Sequence, residues 1–300
     1  MTIILHVGVA VVDFLLTVDA FPDAAEKYRA NDGFVTGGGN AANAAAAVAK
    51  LGGTAMLAAR TGDDMISDLV LASLEQDGID VAHTRRFAGC RGSFSSVLVD
   101  ALGERQIVNF RDANLPTDAR WILDINMGHV GAVLTDTRWP EGALAAMQLA
   151  AKAGVPGIID GEQPIAGCED ALRIASHCAF SDQGLRDFTG GDLVAAQKLC
   201  GGFVAVTKGA HGADWVDEKI GASEIGHVPS IAVNAVETLG AGDVWHGAFA
   251  LALAKGHREE QAMVYANRAA SLKCTRAGGR ASYPSAAELE DWKMEANPHG

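Results

Sequence analysis

No apolar run in this chain reaches the ~18 residues that a membrane-crossing helix needs. No basic stretch precedes the apolar residues of Met1-Thr2-Ile3-Ile4-Leu5-His6-Val7-Gly8, so a signal peptide is not read there. Cysteine is sparse. The five (Cys90, Cys168, Cys178, Cys200, Cys274) are odd in number and form no C-x-x-C, which excludes a disulfide framework or zinc knuckle and fits a reducing compartment. Positive charge is also scarce: 24 Lys and Arg stand against 37 Asp and Glu, a formal net charge of −13. Such a surface repels phosphate backbones and anionic lipid, so neither nucleic acid nor membrane is the expected partner. The expectation is a cytoplasmic protein. G-x-G-x-x-G after the first strand, G-x-S-x-G and H-E-x-x-H are missing, and without a Gly-Lys pair there is no Walker A loop.

What is abundant is glycine, 35 in 300 residues against a usual ~7%, and it is clustered where a backbone turns tightly or approaches a ligand. Ile3 to Val12 reads as one buried strand with Asp13 at its end. Phe14–Val18, Phe21-Pro22 and Tyr28–Val35 read as short peripheral strands. Gly37-Gly38-Gly39-Asn40 leads into an alanine-rich helix that stops at Leu51-Gly52-Gly53. Thr54–Ala59 reads as a strand, Met65–Asp77 as a helix, and Ser93–Asp100 with Arg105–Phe110 as a hairpin. Strands at 130–134, 157–159, 178–180 and 203–207 alternate with helices at 143–153 and 193–199, which predicts βαβ units and a parallel sheet. Two long helices follow, about Val244–Lys255 and Glu259–Cys274. The expected architecture is one α/β domain over residues 1–300, a Rossmann-like, mostly parallel sheet flanked by helices, with a small β-sheet lid from about 14–36 and 88–113.

The segment that carries chemistry is Glu237-Thr238-Leu239-Gly240-Ala241-Gly242-Asp243, running straight into the apolar stretch Val244–Ala254. Glycines before a helix let successive N–H groups converge, and the helix dipole adds positive charge, which makes an anion site. Phosphoryl transfer needs such a site and a carboxylate to take the proton of the attacking hydroxyl. The same residues also read as an ordinary Asp-assisted helix start.

Gly-Ala-Gly-Asp near the end, with Gly38-Gly39…Asn43 before the alanine-rich helix, resembles in order and separation the two signatures of the ribokinase (PfkB) family of carbohydrate kinases. The resemblance spans essentially the whole chain. It implies a ribokinase-like fold, with ATP and sugar as substrates, magnesium and often potassium as cofactors, and a homodimer through the lid. By position, Asp243 would be the catalytic base and Gly240, Ala241 and Gly242 the anion hole. Asp13, Gly39 and Asn43 would bind substrate hydroxyls. Thr207, Lys208 and Gly209 would form a nucleotide-binding turn, and Gly212 with the region from Asn267 to Gly278 and Gly279 would wall the nucleotide pocket. Two departures stand out: Glu237 replaces the family's usual Asp, and the family's Asn-x-x-Glu metal-linked motif is absent near Ser181-Asp182-Gln183-Gly184, so the metal ligands stay unassigned and only Asp182 offers itself, through water.

Ala270–Arg280 and Gly37–Gly39 further resemble family members that phosphorylate the 1-hydroxyl of 6-deoxy-6-sulfofructose, in which Lys27, Asn109 and Arg138 would hold the anionic tail. Arg and Lys with an amide suit such a tail, although sulfonate, phosphate and carboxylate would be met alike. A kinase for another ketose, a phosphosugar, a keto-deoxy acid sugar or a nucleoside, or an inactive sugar sensor on the same scaffold, are the other readings. Eight of the nine histidines, His246 among them, are scattered and form no ligand cluster; Trp139 reads as pocket or packing, and Arg111-Asp112 as a solvated pair.

Overall fold

The structure, a computed structural model, describes residues 2–200, 202–217 and 224–295. The large sheet has eight strands in the order β14-β13-β12-β11-β10-β9-β1-β4. They are β1 (Ile3–Val7), β4 (Thr54–Ala58), β9 (Val130–Asp136), β10 (Gly157–Gly161), β11 (His177–Ser181), β12 (Phe203–Thr207), β13 (Ala213–Val216) and β14 (Gly226–Val228). From β4 to β12 all pairs are parallel, and β13 and β14 add an antiparallel edge. The smaller sheet, in the order β3-β2-β7-β8, comprises β2 (Val11–Thr17), β3 (Asp32–Gly38), β7 (Phe94–Val99) and β8 (Arg105–Phe110). A two-residue pair, β5 (Arg60–Thr61) with β6 (Arg85–Arg86), completes the strands.

The period-two pattern of the buried strands builds two cores, one on each face of the large sheet. Ile4, Leu57, Leu134, Ile158, Ala179 and Ala205 point to α1 (Asn40–Lys50), α7 (Ala241–Ala254) and α8 (Glu259–Cys274). Leu5, Val133, Ile159, Phe180 and Val206 point to α3 (Pro140–Ala153), α4 (Glu169–Ile174) and α6 (Leu193–Cys200). α2 (Met65–Gln76), α5 (Asp182–Thr189) and α9 (Ala286–Glu295) lie around them. Each large apolar side chain so buried contributes roughly 1.5–3 kcal/mol. No described helix is long and apolar enough to cross a membrane.

The single strand expected over Ile3–Val12 is two strands in two sheets. Pairing with the large sheet ends at Val7, and the N–H of Val9 is taken instead by Asp136 Oδ2 at 2.8 Å. The chain therefore swings into the small sheet, and Asp13 lies within β2 rather than at a strand end. Phe21-Pro22 and Tyr28 lie in the β2–β3 connection, outside strands, and α4 and α5 are further helices that the sequence pattern did not show. Both are short, with little room for a helical period to register.

A candidate kinase active site

The alanine-rich face of α1 lets α7 approach closely, with a side-chain atom at Gly247 excluded by the carbonyl of Ala44. That contact sets the start of α7 over the carboxyl ends of β9 and β10. Gly240 precedes the helix at φ 74°, and a Cβ there would collide with the Tyr283 hydroxyl. Gly242, in the first turn, faces open space, and the N–H groups of Gly242 and Asp243 have no hydrogen-bond partner among the described residues. Protein packing does not require glycine at 242. An anion drawn against free N–H groups at a helix start does.

Asp243 Oδ2 accepts a 2.7 Å hydrogen bond from Asn43 Nδ2 on α1, and Asn43 Oδ1 accepts from Arg280 Nε at 2.7 Å. Arg280 is anchored in turn by Asp77 Oδ2 (3.0 Å) and the carbonyl of Gly38 (2.9 Å). Both polar atoms of Asn43 thus help to hold the carboxylate of Asp243 in place. Burial first, then the charges of Asp160 and Glu162, push the Asp243 carboxyl well above the ordinary carboxylate range, against the pull of Asn43 and Arg280. A carboxyl so raised is a better proton acceptor when ionised.

Residues 238–242 divide two cavities. Thr238, Ala241 and Gly242 line one of about 450 Å³ together with Thr207, Gly209, Gly212, Asn267 and Ser271. Its walls are mostly apolar, as suits a flat heteroaromatic base. Asn267 is a structural wall: its amide donates to the carbonyls of Val228 and Pro229 and accepts from Trp245 Nε1. Lys208 turns away to pair with Asp214 at 2.5 Å. Gly278 and Gly279 do not line this cavity; they form the turn that presents Arg280.

Leu239 lines the second cavity, of about 180 Å³, with Asp13, Gly39, Asn40, Asn109, Arg111 and Arg138. The register of the small sheet puts Asp13, Ser95 and Asn109 side by side, and Ser95 Oγ donates to Asn109 Oδ1 at 2.8 Å. Burial raises the Asp13 carboxyl, partly offset by Ser95 and Arg280. Arg138 is fixed from behind by Asp136, which accepts its backbone N–H at 2.9 Å, and by the carbonyl of Gln163. Lys27 does not join this group; it is exposed on the β2–β3 connection. Arg111, read from sequence as a solvated partner of Asp112, is instead a wall of the cavity, while Asp112 is buried and receives the N–H of Arg91. Trp139 packs beneath Arg60, with the guanidinium 4.2 Å from its ring centroid, and opens on an adjoining cavity shared by Arg111 and Arg138.

Asp182 is not in the site. It pairs with Arg186 one turn along α5 at 2.6 Å. The acidic groups facing Asp243 are Asp160 and Glu162 at the end of β10, both bonded by Asn40 Nδ2. His246 joins this site from α7, with Nδ1 2.8 Å from the Gly242 carbonyl and Nε2 3.5 Å from Asp160. Glu237, the departure from the family pattern, receives the ammonium of the fully buried Lys273 at 2.8 Å. Asp160, Glu162 and Lys273 lie in no glycine-rich motif, so nothing local in the sequence marks them; Asn40 and Arg280 each follow a glycine run, but only the fold brings the five together.

Comparison with known proteins agrees with this geometry. The model of the pfkB family of carbohydrate kinases matches residues 1–286. A ribokinase of Bacillus subtilis is 27% identical, covering 95% of this chain and 97% of its own. An ATP-dependent ribose-1-phosphate kinase of Halopiger xanaduensis is 28% identical over 90% of this chain and 91% of its own. The crystal structure of a ribokinase from Thermotoga maritima superposes with a TM-score of 0.80 at 27% identity, covering 98% of this chain and 99% of that one. With the family model matched over nearly its whole length and two cavities meeting at a glycine-lined helix start, this chain belongs to the pfkB family of carbohydrate kinases.

Proposed function

We propose that this protein transfers the γ-phosphoryl group of ATP to a primary hydroxyl of a ketohexose-like sugar that carries an anionic tail, with 6-deoxy-6-sulfofructose, giving the 1-phosphate, as the best candidate. Asp243 takes the proton of the attacking hydroxyl from the sugar cavity. The free N–H groups at the start of α7 and the helix dipole oppose the charge that builds on the transferring phosphoryl. ATP enters from the apolar cavity beyond Gly242, a role its relative from Halopiger xanaduensis carries in its name.

Magnesium fits as a companion of the nucleotide. Asp160 and Glu162 are hard oxygen donors, and with Asp243 they form an acidic group that lacks a full countercharge. Among the described residues no three His, Cys, Asp or Glu side chains form a ready metal cage. The ion would neutralise phosphate charge; Asp160 and Glu162 would orient its waters.

The observation that supports an anionic tail is the pairing of Arg111 with Arg138 on the sugar cavity. Burial and then the charge of Arg138 lower the affinity of Arg111 for its own proton, and Arg111 has no acidic partner at salt-bridge distance among the described residues. Glu162 reaches Arg138 at 3.9 Å and Asp136 offsets part of the charge, so the two guanidinium groups are partly balanced, and the cavity they share still suits an anionic group. A relative acts by name on ribose 1-phosphate, an anionic sugar, which supports this reading. The test is ADP release across sulfofructose, fructose 6-phosphate, 2-keto-3-deoxygluconate, fructose, ribose and adenosine. The anionic ketohexoses should lead; equal or better turnover of neutral sugars rejects the tail. Arg111→Ala and Arg138→Ala should each cost about 2–4 kcal/mol in kcat/KM for the anionic substrate and little for a neutral one.

The small sheet would close over the sugar as a lid, and its edge strands β3 and β8 leave Phe34, Val35, Ile107 and Val108 exposed, which a second copy of the chain would cover in a homodimer.

A further inference from the structure

Lys273 is the most deeply buried cation among the described residues, with no exposed surface at all. It stands in the last turn of α8, at the negative end of the helix dipole. Its ammonium meets the Glu237 carboxylate at 2.8 Å, the Glu237 carbonyl at 3.3 Å and the Arg276 carbonyl at 3.5 Å. The same stretch is stitched to α8 by the N–H groups of Val236 and Glu237, both donating to the Cys274 carbonyl. Three residues after Glu237 comes Gly240, where α7 and its free N–H groups begin.

We propose that Lys273 acts as a built-in monovalent cation that braces the 236–240 loop and so holds the anion hole in shape, making turnover independent of added potassium. The proposal rests on the kinase reading. A set of oxygens, one carboxylate and two carbonyls, is what a free alkali cation would seek, and here the ammonium already satisfies it. Glu237 fits this arrangement: its longer side chain reaches an ammonium anchored on the neighbouring helix, so charge balance is reached inside one chain. Lys273 is not among the residues that line either cavity and is a positioning residue, not a catalytic one.

Two measurements test it. The wild type should turn over at the same rate, within error, in sodium, potassium and tetramethylammonium salts of equal ionic strength. A wild type that is activated severalfold by potassium overturns the proposal. Lys273→Ala should lower kcat by about 10²-fold, comparable to loss of one anion-hole donor, with a smaller change in the KM for ATP. Ammonium or potassium, but not tetramethylammonium, should restore part of that loss. A variant that matches the wild type in every salt overturns the idea, and so does a loss that no small cation repairs. If Lys273→Ala does not fold, Lys273→Met is used, and the salt comparison on the wild type still decides. Hydrogen exchange of the 237–243 segment reads the brace without turnover. It should be slow in the wild type in any salt, and fast in the variant unless ammonium or potassium is present. A wild type that shows no phosphoryl transfer in any salt strikes at the kinase reading, and the exchange pattern then judges Lys273 alone.

Discussion

Asp243 is held half out of water beside two other carboxylates, and each of these neighbours raises the cost of its charge. Its folded-state pKa is above the unfolded value, so the folded protein binds the proton more tightly. This group therefore favours folding most below the unfolded pKa, and that contribution is lost as pH rises through the raised folded value. At neutral pH Asp243→Asn should raise the melting temperature while lowering kcat by about 10²–10⁴-fold. An equal kcat would remove Asp243 from the base role. The acid limb of the kcat–pH profile should lie above the ordinary carboxylate range, because the base must be ionised. Glu162→Gln removes one of the charges that raise it and should move that limb to lower pH, whatever it does to the plateau. A limb that stays in place assigns it to another group.

At the level of the element, α7 separates two uses of glycine that look alike in sequence. Gly240 is demanded by the backbone: φ is 74° and Tyr283 closes the space. Gly240→Ala should destabilise the fold by about 1–3 kcal/mol, read from urea unfolding. Gly242 is demanded by nothing in the protein. Gly242→Ala should leave stability unchanged or improve it by up to about 1 kcal/mol, yet cut kcat/KM for ATP at least as much as Gly240→Ala does. Full activity in Gly242→Ala would mean that no phosphate approaches that turn. The helix is legible because alanine and apolar residues follow the glycines; the difference between the glycines is not, because it depends on Tyr283, 43 positions further on.

The whole molecule is joined at Arg280, which takes hold of α1 through Asn43, of β3 through Gly38 and of the end of α2 through Asp77. It ties the small sheet to the helix that carries Asn43, and hence to the base. If a second copy covers the edges of that sheet, Val35→Lys with Val108→Lys should convert a dimer to a monomer in sedimentation, with the unfolding midpoint of the monomer little changed. A wild type that sediments as a monomer at any working concentration removes the dimer.

Local pattern settled much of this protein: the parallel strands of the large sheet from their β-branched runs, though not its antiparallel edge β13 and β14, the approximate span of α8, and the Gly-Ala-Gly-Asp helix start, because periodicity and helix-start chemistry act over a few neighbours. The tertiary structure alone decided that Ile3–Val12 divides between two sheets, that Lys27 stands apart while Arg111 lines the smaller cavity, and that Asp160 and Glu162 rather than Asp182 stand beside Asp243. Those outcomes follow from burial and charge among residues far apart in the chain, where a carboxylate such as Asp136 or an ammonium such as Lys273 chooses its partner by proximity in space.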